Sequence, residues 1–479
     1  MGRPTTWVSI AIAGMLVAGC KKTEPPADQA APAPVTSAGS AACAGAIAKG
    51  PLRWFEDDYA KALACARATK RPLVIDMWAP WCHTCLSMSA TVLVDPTLAT
   101  IADRFVFVGL DTDRELNAAV VGKFALQNWP TYFVLDSADE SIQARWLGAA
   151  SATGFRQFLK DGESAVLANG GGATLDPLLA QIRTGDVAAT RRDWAAAEAA
   201  YRAALAAAPA DWPRRADVLV AQISVLHKQG DLAGCLALGT RAADQTGRSA
   251  NATDFLVWAL ACADDEGADV AAAKAVRERA VTVLAALDAD PSAPLTLDDR
   301  SDLMLNLRTV LDALGRDDEA KAVAERQVTM LDDAARAAKT PAEAMTFNWH
   351  RAEVYVYLGR ADAIVGALAQ STKDLPTEYD PPYRLAWVYM KTGKPADAAT
   401  WAKDAASKAY GPRKVRVQSL LVEATKAVGD VGAERAARTE LVAVLEALPK
   451  EAAQPETLAQ AKADLAAMDG PAAAVDAGP

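Results

Sequence analysis

The sequence predicts an α/β domain followed by an all-α superhelix of helical repeats. Three observations carry this. Between residues 50 and 170, short apolar runs alternate with segments of helical spacing. A Cys-x-x-Cys stands directly after one of those runs. Beyond Asn169-Gly170-Gly171-Gly172, glycine turns recur between Ala-rich stretches. A chain of 479 residues is too long for one ordinary core, so at least two domains are expected. With 51% hydrophobic and 23% charged residues the composition is globular. The net charge of −10, with no Lys/Arg run longer than a pair, argues against nucleic acid as a partner.

The N-terminus reads as a processing signal. Arg3 supplies a positive charge, and Trp7 to Ala18 form an apolar stretch too short to span a bilayer. It ends in Leu16-Val17-Ala18-Gly19-Cys20, which resembles the lipobox of bacterial lipoproteins. The resemblance implies a signal peptide over 1–19 and acylation of Cys20 as the first mature residue. The protein would then be tethered to a membrane of the cell envelope and face the periplasm. Lys21, by the same analogy, points to the outer rather than the inner membrane. Residues 20–49, rich in Ala and Pro, read as a flexible spacer.

The α/β domain is expected over 50–170. Trp54 to Arg71 reads as a helix, with Tyr59, Leu63 and Ala66 on one face. Pro72 to Trp78 is a buried strand. Asp95-Pro96 starts a short helix, with Asp as cap and Pro in the first turn. Phe105 to Asp111 is a second strand and Arg114 to Phe124 is helical. Thr131 to Leu135 and Ile142 to Leu147 are the last strands, joined by a turn at Ser137 to Glu140, and a helix over Phe155 to Leu167 closes the domain.

Trp81-Cys82-His83-Thr84-Cys85 follows the first strand and opens a helix. The first sulfur then sits at a helix N-terminus, where unpaired N–H groups and the dipole favour a thiolate. The second lies one turn in, close enough to resolve a mixed disulfide. Asp76 to Cys85, with Trp129-Pro130-Thr131 downstream, resembles the thioredoxin superfamily, and most closely its periplasmic thiol–disulfide interchange branch. The resemblance implies that Cys82 attacks, Cys85 resolves and Asp76 moves the proton at Cys85. It implies a cis peptide at Pro130, and substrate contacts from Trp81, His83, Trp129, Pro130 and Thr131. The family often has Gly or Pro between its cysteines where this chain has His83-Thr84. A nearby imidazolium would still favour the Cys82 thiolate. A zinc site needs further ligands, and His83, His227 and His350 are the only histidines, so neither metal nor cofactor is expected.

From 175 to 468 the chain is expected to be helical repeats, with a disordered tail over 469–479. Gly185, Ala188, Trp194, Ala197, Tyr201, Ala204 and Pro209 fall at the spacing of a tetratricopeptide unit of about 34 residues. Gly230, Gly315, Gly359, Gly393 and Gly429 mark later turns, and Ala398 and Ala402 allow close helix approach. The pattern predicts about six or seven units. It resembles the tetratricopeptide family, which implies a concave groove for a protein partner. Cys43, Cys65, Cys235 and Cys262 could form the disulfides Cys43–Cys65 and Cys235–Cys262 in an oxidising compartment, or remain buried thiols.

Two functions follow. One is a membrane-tethered thiol–disulfide oxidoreductase with a helical-repeat binding platform, acting on protein disulfides or thiols and served by a redox partner protein. The other is a non-catalytic assembly scaffold whose thioredoxin-like part is structural. Cys82, Cys85, Asp76 and Pro130 together favour the first.

Overall fold

The computed structural model describes residues 41–126 and 128–468. Cys20, the signal peptide, the spacer up to residue 40 and the tail from 469 lie outside the described residues. Six strands form one sheet in the order β1-β2-β4-β3-β5-β6. They are β1 (Ile47–Lys49), β2 (Leu52–Glu56), β3 (Leu73–Trp78), β4 (Val106–Asp111), β5 (Thr131–Leu135) and β6 (Ile142–Leu147). β4 pairs in parallel with both β2 and β3, whereas β5 pairs antiparallel with β3 and β6 pairs antiparallel with β5. Helices α1 (Tyr59–Thr69), α2 (His83–Ala90), α3 (Ala118–Lys123) and α4 (Ala152–Asn169) complete the domain.

Period-2 alternation puts successive side chains on opposite sheet faces. Val74, Phe107, Tyr132 and Trp146 pack with Phe155 and Phe158 of α4. Leu73, Ile75, Met77 and Phe133 pack with Leu63 and Ala66 of α1. α1 begins at Asp58, whose carboxylate accepts from the Lys61 N–H. Three segments differ from expectation. Trp54 to Glu56 is strand, not the start of a helix, because its backbone pairs in parallel with Phe107 to Gly109. The spacer expected over 20–49 ends sooner, since Ile47–Lys49 pairs with β2 and Cys43 is bonded to Cys65. Arg114 to Phe124 is also less regular than expected, a 3₁₀ turn over Glu115–Asn117 leading into α3.

The remainder is helical. Seven pairs follow one another: α5 (Pro177–Thr190) with α6 (Trp194–Ala207), α7 (Arg215–Gln229) with α8 (Leu232–Ala242), α9 (Ala250–Ala263) with α10 (Val270–Asp288), and α11 (Leu297–Ala313) with α12 (Asp317–Ala337). After a short helix α13 (Pro341–Met345) come α14 (Asn348–Tyr357) with α15 (Asp362–Asp374), α16 (Asp380–Lys391) with α17 (Pro395–Lys408), and α18 (Gly411–Val428) with α19 (Val431–Glu446). A last helix, α20 (Pro455–Ala467), packs on α19. The five expected glycine turns all fall between paired helices, each with positive φ. From α7 onward the first helix of each pair touches the first helix of the next, so these helices form one continuous face. Cys235 and Cys262 are bonded, tying α8 to α9. No helix among the described residues is long and apolar enough to cross a membrane.

Candidate functional site: a dithiol enclosed by the repeats

β3 ends beneath the Ala79-Pro80 corner, and Cys82 caps α2. Its sulfur accepts the Cys85 N–H at 3.0 Å. The two cysteines are joined in a disulfide. Trp78, Trp81 and Trp129 pack around them. The Trp129–Pro130 peptide is cis, as the resemblance implied. The Trp129 indole N–H donates to Thr112 Oγ1 at 2.8 Å, and that of Trp81 to Asp113 Oδ2 at 2.8 Å. Thr131 is buried in β5, its hydroxyl turned to the Asn128 carbonyl at 2.7 Å, so it offers no surface to a substrate.

Asp76 lies behind Cys85. Both line a small cavity of about 140 Å³ with Glu56, Lys49 and Trp54. That is room for a few waters at about 30 Å³ each. Asp76 Oδ1 makes no hydrogen bond to protein. Burial first, and the Glu56 carboxylate second, push the Asp76 pKa up to about 8, with Lys49 opposing. Below that pH the folded chain keeps the proton, whereas an unfolded chain loses it above about 4. The folded state therefore holds the extra proton between those values, and stability falls as pH rises through them. Asp76→Asn should raise the melting temperature at pH 9 and leave it nearly unchanged at pH 4, as read by calorimetry. Equal shifts at both pH values would refute the assignment.

Cys82 and Cys85 are each only 5% exposed. Their immediate cover is Trp78, Trp81 and Trp129, and the first helices of the repeats pack outside it against the sheet domain. On α5, Asp186 accepts the Arg145 backbone N–H at 3.1 Å. Arg214, before α7, pairs with Asp161 of α4 at 2.6 Å. Asp254 of α9 lies against Gly148. Thr296, capping α11, meets Ser87 at 3.2 Å. His350 of α14 packs edge-on to His83 at 4.4 Å between ring centroids. Arg384 of α16 reaches the Trp81 carbonyl at 3.5 Å. At α18, Arg413 lies over the Trp81 ring at 4.5 Å and Tyr410 donates to Asp111. The inner face that the resemblance assigned to a partner is thus covered by the chain's own α/β domain.

His83 differs most from expectation. Its Nδ1 is 3.1 Å from Asp298 and 3.8 Å from Asp302, both on α11. Burial alone would lower its pKa, but the two carboxylates outweigh this and push it up to about 9. His227 stands apart, against Trp258. Asp113, reached by Trp81 and Tyr379, is pushed up to about 6 by burial and then by Asp111. Sequence reasoning missed Asp113, Asp298, Asp302, His350, Arg384 and Arg413. A polar residue in a loop or on a repeat helix reads as solvated, and nothing local links it to residue 82. A larger cavity of about 560 Å³ opens beside Trp129, between Thr112, Pro412, Val444 and Leu448.

A thioredoxin-like family model matches residues 54–137. The chain is similar to a tetratricopeptide repeat protein from Parabacteroides merdae, at 12% identity and a TM-score of 0.38, covering 61% of this chain and 98% of that one. It is also similar to a thermophilic repeat protein of the same class from Thermus thermophilus, at 21% identity and a TM-score of 0.28, covering 44% and 99%. Among curated proteins, none matches the chain. The chain thus carries a thioredoxin-like domain, and the region that follows it is all-helical.

Proposed function

We propose, from the premise of a thioredoxin-like domain at residues 54–137, that the chain is a thiol–disulfide oxidoreductase whose repeats enclose its own dithiol. The observation that carries this is the Cys82–Cys85 bond at the N-terminus of α2, with a protonatable Asp76 behind Cys85. In the reducing direction, the Cys82 thiolate attacks one sulfur of a protein disulfide. A mixed disulfide forms and one substrate thiolate leaves. Asp76, in its ionised fraction, takes the proton of the Cys85 thiol, and the Cys85 thiolate attacks the Cys82 sulfur. The second substrate thiolate leaves, and two electrons have passed to the substrate. The opposite direction retraces these steps. A redox partner protein restores the starting state, and no cofactor enters. The cavity beside Trp129 supplies the approach for an extended substrate segment.

The Leu16 to Cys20 pattern supports anchoring through an acylated Cys20, and Lys21 supports the outer membrane. The Cys43–Cys65 and Cys235–Cys262 bonds support an oxidising compartment such as the periplasm. The low exposure of both active cysteines favours a second reading, in which the α/β domain is a structural core for a scaffold.

Trapping separates the two. In extracts quenched with acid and alkylated, the Cys85→Ala chain should accumulate mixed disulfides as reducible bands, and the Cys82→Ala chain should show none. Bands with Cys82→Ala alone would reverse the roles. Their absence from both would favour the scaffold.

A further inference from the structure

We propose that His83, Asp298 and His350, with Asp302, form a binding site for a transition-metal dication of the zinc type. One ligand atom from each of the first three lies within 4.8 Å of the others. Asp302 touches both histidines, at 3.8 Å from His83 Nδ1 and 3.3 Å from His350 Nε2. Asp298 does the same, at 3.1 Å and 3.8 Å. Zinc bonds of about 2.0–2.1 Å, arranged tetrahedrally, place ligand atoms about 3.3–3.4 Å apart. The four histidine–carboxylate separations scatter around that edge length.

The second observation is His350 itself. It is fully buried, yet neither ring nitrogen makes a hydrogen bond. Its Nε2 faces the two carboxylates at ion-pair distance without hydrogen-bond geometry. Nε2 thus has only carboxylate charge beside it, and a buried ring nitrogen without a hydrogen bond is rare and calls for an explanation, an ion among them. A cation between the rings and the carboxylates would take the Nε2 lone pair. Two carboxylates would also balance its charge. Imidazole nitrogens with carboxylate oxygens suit zinc, cobalt or nickel, whereas an all-oxygen shell would suit calcium or magnesium.

The ion would join residue 83 to residues 298 and 350. Because His83 stands between the two cysteines, the ion would hold the turn of the dithiol against α11 and α14. The site does not depend on redox activity, since its ligands are in place with Cys82 and Cys85 bonded.

The test uses the intact chain, disulfides unreduced and Cys20 alkylated, so that no thiol competes. Stripped protein is titrated with Zn²⁺ against a chromophoric chelator, and with Co²⁺ for its ligand-field spectrum. One ion per chain is expected, with a tetrahedral Co²⁺ spectrum and a higher melting temperature. His350→Gln and Asp302→Asn should each weaken binding at least about tenfold, and His227→Gln should not. Asp302 is partly exposed, so its variant keeps the test usable should His350→Gln fail to fold. No ion retained by the unaltered chain, or equal affinity in the His350 and Asp302 variants, would overturn the proposal. The cluster would then be a hydrogen-bonded imidazolium between carboxylates.

Discussion

Arg145→Ala should destabilise the chain by about 3–5 kcal/mol, the cost of leaving a buried charge without its partner. Arg145 lies on β6 and Asp186 on α5, and each side chain is at most 2% exposed. Their closest charged atoms are 3.5 Å apart. Tyr201 of α6 closes the triangle, donating to Asp186 at 2.8 Å and accepting from Arg145 at 3.0 Å. Burial pushes the Asp186 carboxyl up, and Arg145 is the main influence drawing it down. Removing Arg145 leaves that buried carboxylate only the Tyr201 hydroxyl, the backbone N–H of residue 145 and the charge of Arg214. Removing both charges should cost far less, because apolar replacements of similar volume relieve the desolvation of the pair. Arg145→Met with Asp186→Leu is therefore expected to recover most of the loss in chemical denaturation. If the double variant were as unstable as Arg145→Ala, packing rather than charge would be the cause.

Gly411→Ala should open the cover over the dithiol. Gly411 has φ +57°, and a Cβ there would lie 1.8 Å from the Asp113 carbonyl oxygen. No side chain fits without moving α18 away from the loop after β4. Three contacts depend on that position: Tyr410 with Asp111, Tyr379 with Asp113, and Arg413 with Trp81. Weakening closure by about 1.4–2.8 kcal/mol raises the open population about 10–100-fold. The rate at which a small phosphine reduces Cys82–Cys85 should rise by the same factor, with the far-ultraviolet circular dichroism unchanged. An unchanged rate would mean that the dithiol is reached by another route, such as the cavity beside Trp129.

Much of the architecture was legible because local rules and tertiary structure agree. Gly230, Gly315, Gly359, Gly393 and Gly429 are turns both in pattern and in backbone. Asp95 caps its short helix as expected, accepting from the Thr97 N–H. Cys82 was found because strand, turn and helix adjoin in sequence. Trp54 to Glu56 failed because what makes it a strand is β4, some fifty residues on, and no local signal carries that pairing. The surroundings of the dithiol failed for the same reason at greater range. Asp298 meets His83 across a separation of 215 residues, and Arg384 meets Trp81 across 303. His350 was visible as one of three histidines, but its burial beside His83 depends on how the repeats wind.

That winding carries a consequence for how the protein is made. Synthesis delivers the N-terminal domain first, and domains generally fold as they emerge. The α/β domain is therefore the mandrel on which later helices are laid, pair by pair. Until α14, α16 and α18 arrive, Cys82 and Cys85 stand open to any oxidant or thiol nearby. Once Arg384 and Arg413 close over Trp81, the approach narrows to the side of the cavity beside Trp129. The bond is in this sense first made before the repeats close, and a pulse-chase that scores Cys82–Cys85 oxidation against protease protection of the repeats would order the two events.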